Sequence, residues 1–126
     1  MTDIDPWAEI VGPCYTRAAL MRVLEWTEDE LSTAVAALEI LEVTTSDEVV
    51  LYPAFQVWEG RIMENLGAVL QVLSTGTGSA WTWVQWLNSP LVYDGVEQPK
   101  NIDRLRQGQL DDLLLEARHD AAAWRS

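Results

Sequence analysis

Three tryptophans fall within six residues, Trp81, Trp83 and Trp86. Pro90, an Asp94-Gly95 pair, Pro99 and Gly108 follow in order. Each indole is large, and its N–H needs a hydrogen-bond partner once buried. On a helix, residues three apart are neighbours and residues two apart are not. Trp83 and Trp86 therefore lie close, Trp81 points elsewhere, and one face cannot bury all three. The pattern predicts a helix capped by Ser79, with Trp86 and Leu87 in the core and Trp81 or Trp83 partly exposed. Exposed aromatics anchor interfaces, which makes Trp83 and Tyr93 candidate partner contacts. Pro90 breaks the helix, Tyr93-Asp94-Gly95 reads as a turn, and Asn101 is expected to cap a short helix ending at Gly108.

The segment after Gly108 is the clearest helix in the chain. Leu110, Leu113, Leu114, Ala117, Ala121 and Trp124 form one amphipathic stripe. Upstream, Leu66, Val69, Leu70 and Leu73 predict a helix over 64–74 with a single apolar face. Between this helix and the tryptophan segment, Ser74 to Ser79 carries two glycines and reads as a flexible polar connection. It lacks the spacing of a phosphate-binding loop.

The first sixty residues have a different character. Asp5-Pro6 is expected to start a short helix ending at Gly12-Pro13. Thr16 caps a second helix, roughly Arg17 to Trp26. Thr27-Glu28-Asp29-Glu30 is a capping box for a third, with Leu31, Val35 and Leu38 facing inward. The β-branched runs 41–44 and 49–52 then predict a hairpin, closed by Pro53. Two helices joined by a tight turn, followed by a hairpin, make a small winged-helix-like unit. The expected fold is thus mainly α: a winged-helix-like unit over residues 1–58, then an α-helical partner-binding domain over 59–126.

Composition narrows the function. The 126 residues suffice for a core without disulfides. A single cysteine, Cys14, allows no internal disulfide and fits a reducing cytosol. The acidic N-terminus does not resemble a signal peptide, and no apolar run approaches the ~20 residues that span a bilayer. The expected location is cytoplasmic. The net charge is -12, and the balance is -6 over residues 1–40, -5 over 41–100 and -1 over 101–126. Acidity of this extent opposes docking on phosphate backbones and favours solubility and a basic protein partner. In a helix-turn-helix, the start of the second helix enters the major groove. Here that start is Glu28-Asp29-Glu30, and no Arg, Lys, Asn or Gln between Glu28 and Leu41 is available to read bases. DNA binding is therefore the lesser alternative.

No residue set supports a reaction. His119, the only histidine, sits off the apolar stripe of the last helix and has no oriented nucleophile beside it. Cys14 has no second cysteine and reads as a structural thiol. Asp111, Asp112 and Glu116 are acids expected near a helix start. The sequence calls for no catalytic residue, no metal and no cofactor.

With these residues in view, the chain resembles the Xre/MbcA/ParS-like antitoxin family in its toxin-binding domain. The resemblance rests on the order Trp81, Trp86-Leu87, Pro90, Gly95, Pro99, Leu105 and Gly108, followed by an amphipathic terminal helix. Tyr52-Pro53-Ala54-Phe55-Gln56 and Gly12-Pro13-Cys14-Tyr15 are similar to a subset of that family. It implies a non-enzymatic antitoxin that covers the active site of a RES-domain toxin, an NAD-degrading enzyme. It implies that the C-terminal segment reaches into that site, here Arg118 to Ser126 with Trp124, Arg125 and Ser126 at the tip. Homodimerisation is also implied. The chain departs from the family in its acidic second helix, in Asp47-Glu48 at a hairpin turn that usually carries Asp-Gly, and in Leu105-Arg106-Gln107 before the glycine. An acidic interaction module with another basic protein target, of the kind a phage encodes, is the remaining alternative.

Overall fold

The computed structural model describes residues 10–126. The expected helix start at Asp5-Pro6 lies outside the described residues, which begin in a helical turn at Ile10 and Val11. The chain is mainly α, with small antiparallel sheets.

Gly12 takes the left-handed φ of 68° that turns the chain into β1 (Cys14–Tyr15). Next comes α1 (Arg17–Leu24), whose Thr16 hydroxyl accepts from the Ala19 N–H as predicted. The helix stops at Leu24, short of the expected Trp26, because Glu25 turns left-handed. In α2 (Glu28–Ala36) the capping box forms in full. This helix also ends earlier than the apolar spacing suggested. Leu38 adopts φ 57°, and the amides of Leu38 and Glu39 bond back to Val35 and Ala34. That is a Schellman closure with leucine where glycine is usual. Leu31 and Ala34 are its buried residues, and Leu38 lies beyond its end.

The expected hairpin forms between β2 (Val43–Thr44) and β3 (Val50–Pro53), with Val43 opposite Leu51 and Thr44 opposite Val50. Glu48 holds φ 64° in its turn, a conformation that disfavours side chains. β1 joins the other edge of β3, so the sheet order is β1-β3-β2. The two-residue strand β1 carries too little pattern to be read from sequence.

Beyond the sheet, a second hairpin pairs β4 (Val57–Trp58) with β5 (Arg61–Ile62). The expected boundary at 58/59 falls in its turn. Then follow α3 (Leu66–Leu73), α4 (Ala80–Asn88), β6 (Leu91–Tyr93), β7 (Val96–Gln98), α5 (Asn101–Arg106) and α6 (Leu110–Arg125). Lys100, not Asn101, stands at the N-cap of α5. Asn101 turns inward instead, and its amide donates to the Trp86 carbonyl at 2.9 Å.

Two apolar clusters form. The smaller joins Leu20, Leu24, Leu31, Ala34, Ile40 and Tyr52. The larger is built on Leu66, Val69, Leu70, Leu73, Val84, Leu87, Ile102, Leu113 and Ala117, and it also takes in Val11, Leu41 and Val43. The first half of the chain thus contributes to the core of the second. The α6 stripe packs as its spacing predicts, with Leu113, Ala117 and Ala121 fully buried. α3 and α6 are the most extensively packed helix pair.

Two sites show how closely these parts fit. The segment after α3 is not a loose linker. A methyl group added at Gly76 would lie 2.6 Å from both the Cα and the carbonyl oxygen of Ala121. Tyr52, fully buried, donates from its hydroxyl to Glu42 at 2.6 Å and accepts from Arg17 at 3.0 Å. Burial, then the bond to Glu42, pushes the Tyr52 pKa up to about 12.

These contacts set two expectations. Gly76→Ala destabilises the protein by about 1–3 kcal/mol, since the contact is backbone against backbone. Gly78→Ala, with open space around it, changes the unfolding free energy measured in urea by less than about 0.5 kcal/mol. Tyr52 sets a pH window. Its folded pKa exceeds the unfolded value near 10, so its contribution is complete below pH 10 and is lost as pH rises towards 12. The loss is about 2 kcal/mol. Thermal melts across that range are expected to fall steeply for the parent chain and less steeply for Tyr52→Phe.

Candidate partner-binding surface

The three indoles of α4 are pinned to the chain itself. Trp83 is only 7% exposed, and its Nε1 donates to the Thr77 carbonyl at 3.1 Å. It is a core residue and is withdrawn from the candidate contacts. Of the pair Trp81 and Trp83, it is Trp81 that stays partly exposed, and Trp86, expected in the core, is only half-buried. Trp81 is half-buried and donates to the Thr44 carbonyl at 3.1 Å, which ties α4 to β2. Trp86, also half-buried, donates to the Asp120 carboxylate on α6 at 2.7 Å. Its neighbour Leu87 is fully buried.

The C-terminal tip is folded down. Trp124 is half-buried and packs against the larger core. Arg125 donates to the Thr75 hydroxyl at 3.1 Å and to its carbonyl at 3.4 Å. The Ser126 hydroxyl donates to the Ala122 carbonyl at 3.1 Å. Arg118 is exposed on α6. These four residues do not gather around Tyr93, which stands on a separate element.

That element is the arm formed by β6 and β7. Pro90 ends α4 and starts β6. Asp94 and Gly95, at φ 53° and 75°, make the two-residue turn whose left-handed pair matches the twist of flanking strands. Leu91 pairs with Gln98, Val92 with Glu97, and Tyr93 with Val96. Pro99 closes the arm before α5. All six strand residues are exposed, among them Tyr93 at 73%, Val92 at 66% and Val96 at 59%. Of these, Tyr93 alone is expected from the sequence as a contact, although the apolar and β-branched residues on both sides of Asp-Gly carry a local hairpin signal.

Beneath the arm runs an open groove of roughly 560 Å³, lined by Leu91, Val92, Tyr93, Gln98, Pro99, Arg104, Gln109 and Glu116. Arg104 in its floor is already engaged. It donates to Glu116 at 2.8 Å, to Gln109 at 3.2 Å and to Asn101 at 3.3 Å. A second depression shares Glu116 and continues along α6 past Leu115, His119 and Asp120. Leu115 is 66% exposed there.

Half-buried Cys14 has its thiol pKa raised by burial, which keeps it protonated and weakly reactive near neutral pH. His119 is exposed. Among the described residues, no group of three His, Cys, Asp or Glu side chains is placed to hold a metal ion. No helix among them is long and apolar enough to cross a membrane. Arg106 stacks over Trp58 with 4.5 Å to the ring centroid, covering part of an otherwise exposed indole.

No family model and no curated protein matches the sequence. The fold is similar to that of Rv2175c, known from an NMR structure. The two superpose with a TM-score of 0.70 at 18% identity, over 96% of this chain and 86% of that one. At that identity the likeness is one of fold.

Proposed function

We propose that this chain is a non-enzymatic binding protein of the antitoxin type, acting in the cytoplasm. Its C-terminal half grips a RES-type NAD-degrading toxin and covers the toxin's active site. The observation that carries the reading is the β6–β7 arm. It gathers Leu91, Val92, Tyr93 and Val96, four of the nine large hydrophobics that are exposed among the described residues. The residues behind the family resemblance support it by their positions. Trp81, Trp86 and Leu87 lie on α4. Pro90, Gly95 and Pro99 shape the arm, and Leu105 and Gly108 finish α5. Such a framework holds an interface at a fixed angle and needs no catalytic group. Insertion of the tip residues Trp124, Arg125 and Ser126 into a toxin would first break the contacts of Arg125 with Thr75, so tip engagement is the costlier mode.

A second reading, a DNA-binding regulator, has one observation in its favour. The order of helical turn, β1, α1, α2, β2, β3 and the sheet order β1-β3-β2 fit a winged helix. The charge opposes it: Glu28, Asp29 and Glu30 are exposed at the start of α2, and Asp47 and Glu48 are exposed in the turn between β2 and β3. Carboxylates at both places would face a polyanion.

The test is direct. NAD turnover by a purified RES-domain toxin is measured as this protein is added. The expected result is loss of turnover that levels off at a fixed stoichiometry. Full turnover in the presence of excess protein would remove the antitoxin reading. A salt-sensitive mobility shift with the protein's own promoter would move the assignment to the second one.

A further inference from the structure

We propose that the β6–β7 arm and the groove beneath it form a strand-addition site for an extended segment of a partner protein, one that alternates apolar and basic side chains. This deepens the reading of the chain as a protein-binding module by naming the surface and the chemistry of what it takes.

The first argument is geometric. The arm is a two-stranded sheet, so each strand has one edge without a neighbour. An isolated two-stranded ribbon is marginal in water. Open edges are also a template for another chain, and proteins usually cover or blunt them. Among the described residues neither strand has a partner on its outer edge. The hydrogen-bonding edge and the exposed apolar side chains occur on the same six residues.

Side-chain alternation then defines the occupant. Paired residues across the ribbon share a face. Leu91, Tyr93, Val96 and Gln98 stand on one face, and Val92 and Glu97 on the other. A third strand added at either edge would alternate in the same way. Its residues on the first face meet Leu91, Tyr93 and Val96 and need to be apolar. Its residues on the second face come to the side of Glu97 and are best basic.

Charge selects among partners. Asp94 and Glu97 are exposed on the arm, Glu116 borders both the groove and the depression on α6, and Asp120 lines the latter. The one cation in the groove lining, Arg104, is occupied by Glu116, Asn101 and Gln109. The Arg104–Glu116 pair is neutral overall, so the negative charge around the apolar strip comes from Asp94, Glu97 and Asp120. A second copy of this chain, at net charge -12, would bring the same sign to it. A basic segment would not, and its apolar residues could continue from the arm onto Leu115.

The test uses the full-length protein, labelled with 15N, and a short peptide alternating lysine with valine. Amide shifts are expected over 91–98 and along the exposed side of α6 near 115–120. Affinity should fall about tenfold between low and high salt. A peptide alternating glutamate with valine should leave the arm unperturbed. Val92→Ser with Tyr93→Ser should weaken the lysine peptide at least tenfold. Glu97→Lys keeps the arm's apolar face and should shift preference towards the glutamate peptide. The proposal is overturned if the shifts map elsewhere, if both peptides bind equally, or if the arm signals broaden with protein concentration alone, which would assign the site to a second copy. Toxin inhibition without lysine-peptide binding at the arm removes this proposal and leaves the antitoxin reading. Peptide binding at the arm without toxin inhibition does the reverse.

Discussion

Gln56, fully buried just after β3, holds the main chain at Leu41 with both ends of its side-chain amide. It accepts from the Leu41 N–H at 2.7 Å and donates to the Leu41 carbonyl at 2.9 Å. Its own carbonyl accepts from Met63 at 2.7 Å, just before α3. One residue thus fixes the approach to β2 and the entry to α3. Leu41 and Val43 can then enter the larger core, and the two halves of the chain share apolar surface. Each backbone group left unpaired at such a site costs about 1–3 kcal/mol. An apolar side chain of similar volume could fill the space but not meet either group. The rest of the architecture depends on this clamp.

From that junction the tryptophans carry order outward. Trp81 reaches back to β2, Trp83 closes the turn after α3, and Trp86 reaches across to α6. Each indole combines a large apolar contact with one fixed hydrogen bond. Together they set α4 against three different elements. A helix held in this way fixes the direction in which the chain leaves it at Pro90. The arm leaves α4 in a fixed direction, and its strand residues are exposed along their length, an arrangement suited to presenting an edge.

Much of this was legible in the residues. The stripe on α6, the buried face of α3, the Thr16, Thr27 and Ser79 caps, and the hairpin of β2 and β3 all follow from local pattern. What was not legible has physical causes. Leu38 takes a left-handed turn that leucine disfavours, so spacing alone extended α2 too far. Trp83 looked like an interface residue because its i, i+2 relation to Trp81 says nothing about which side of the helix faces the core. Gly76 read as flexible because closeness to Ala121 is a tertiary fact. The contact of Arg125 with Thr75 was not legible because Thr75 lies fifty residues away in sequence. The arm is a different kind of omission: Leu-Val-Tyr, Asp-Gly and Val already contain a hairpin signal.

The tryptophans of α4 are thus tied to the chain itself, while the arm offers an exposed apolar edge with acidic flanks. Hydrogen–deuterium exchange of the protein, free and mixed with a RES-domain toxin, tests it most directly. Protection is expected over 91–98 and the exposed side of α6, with exchange over 122–126 unchanged. Protection centred on 122–126, with the arm unaffected, would contradict the account and restore the tip as the gripping element.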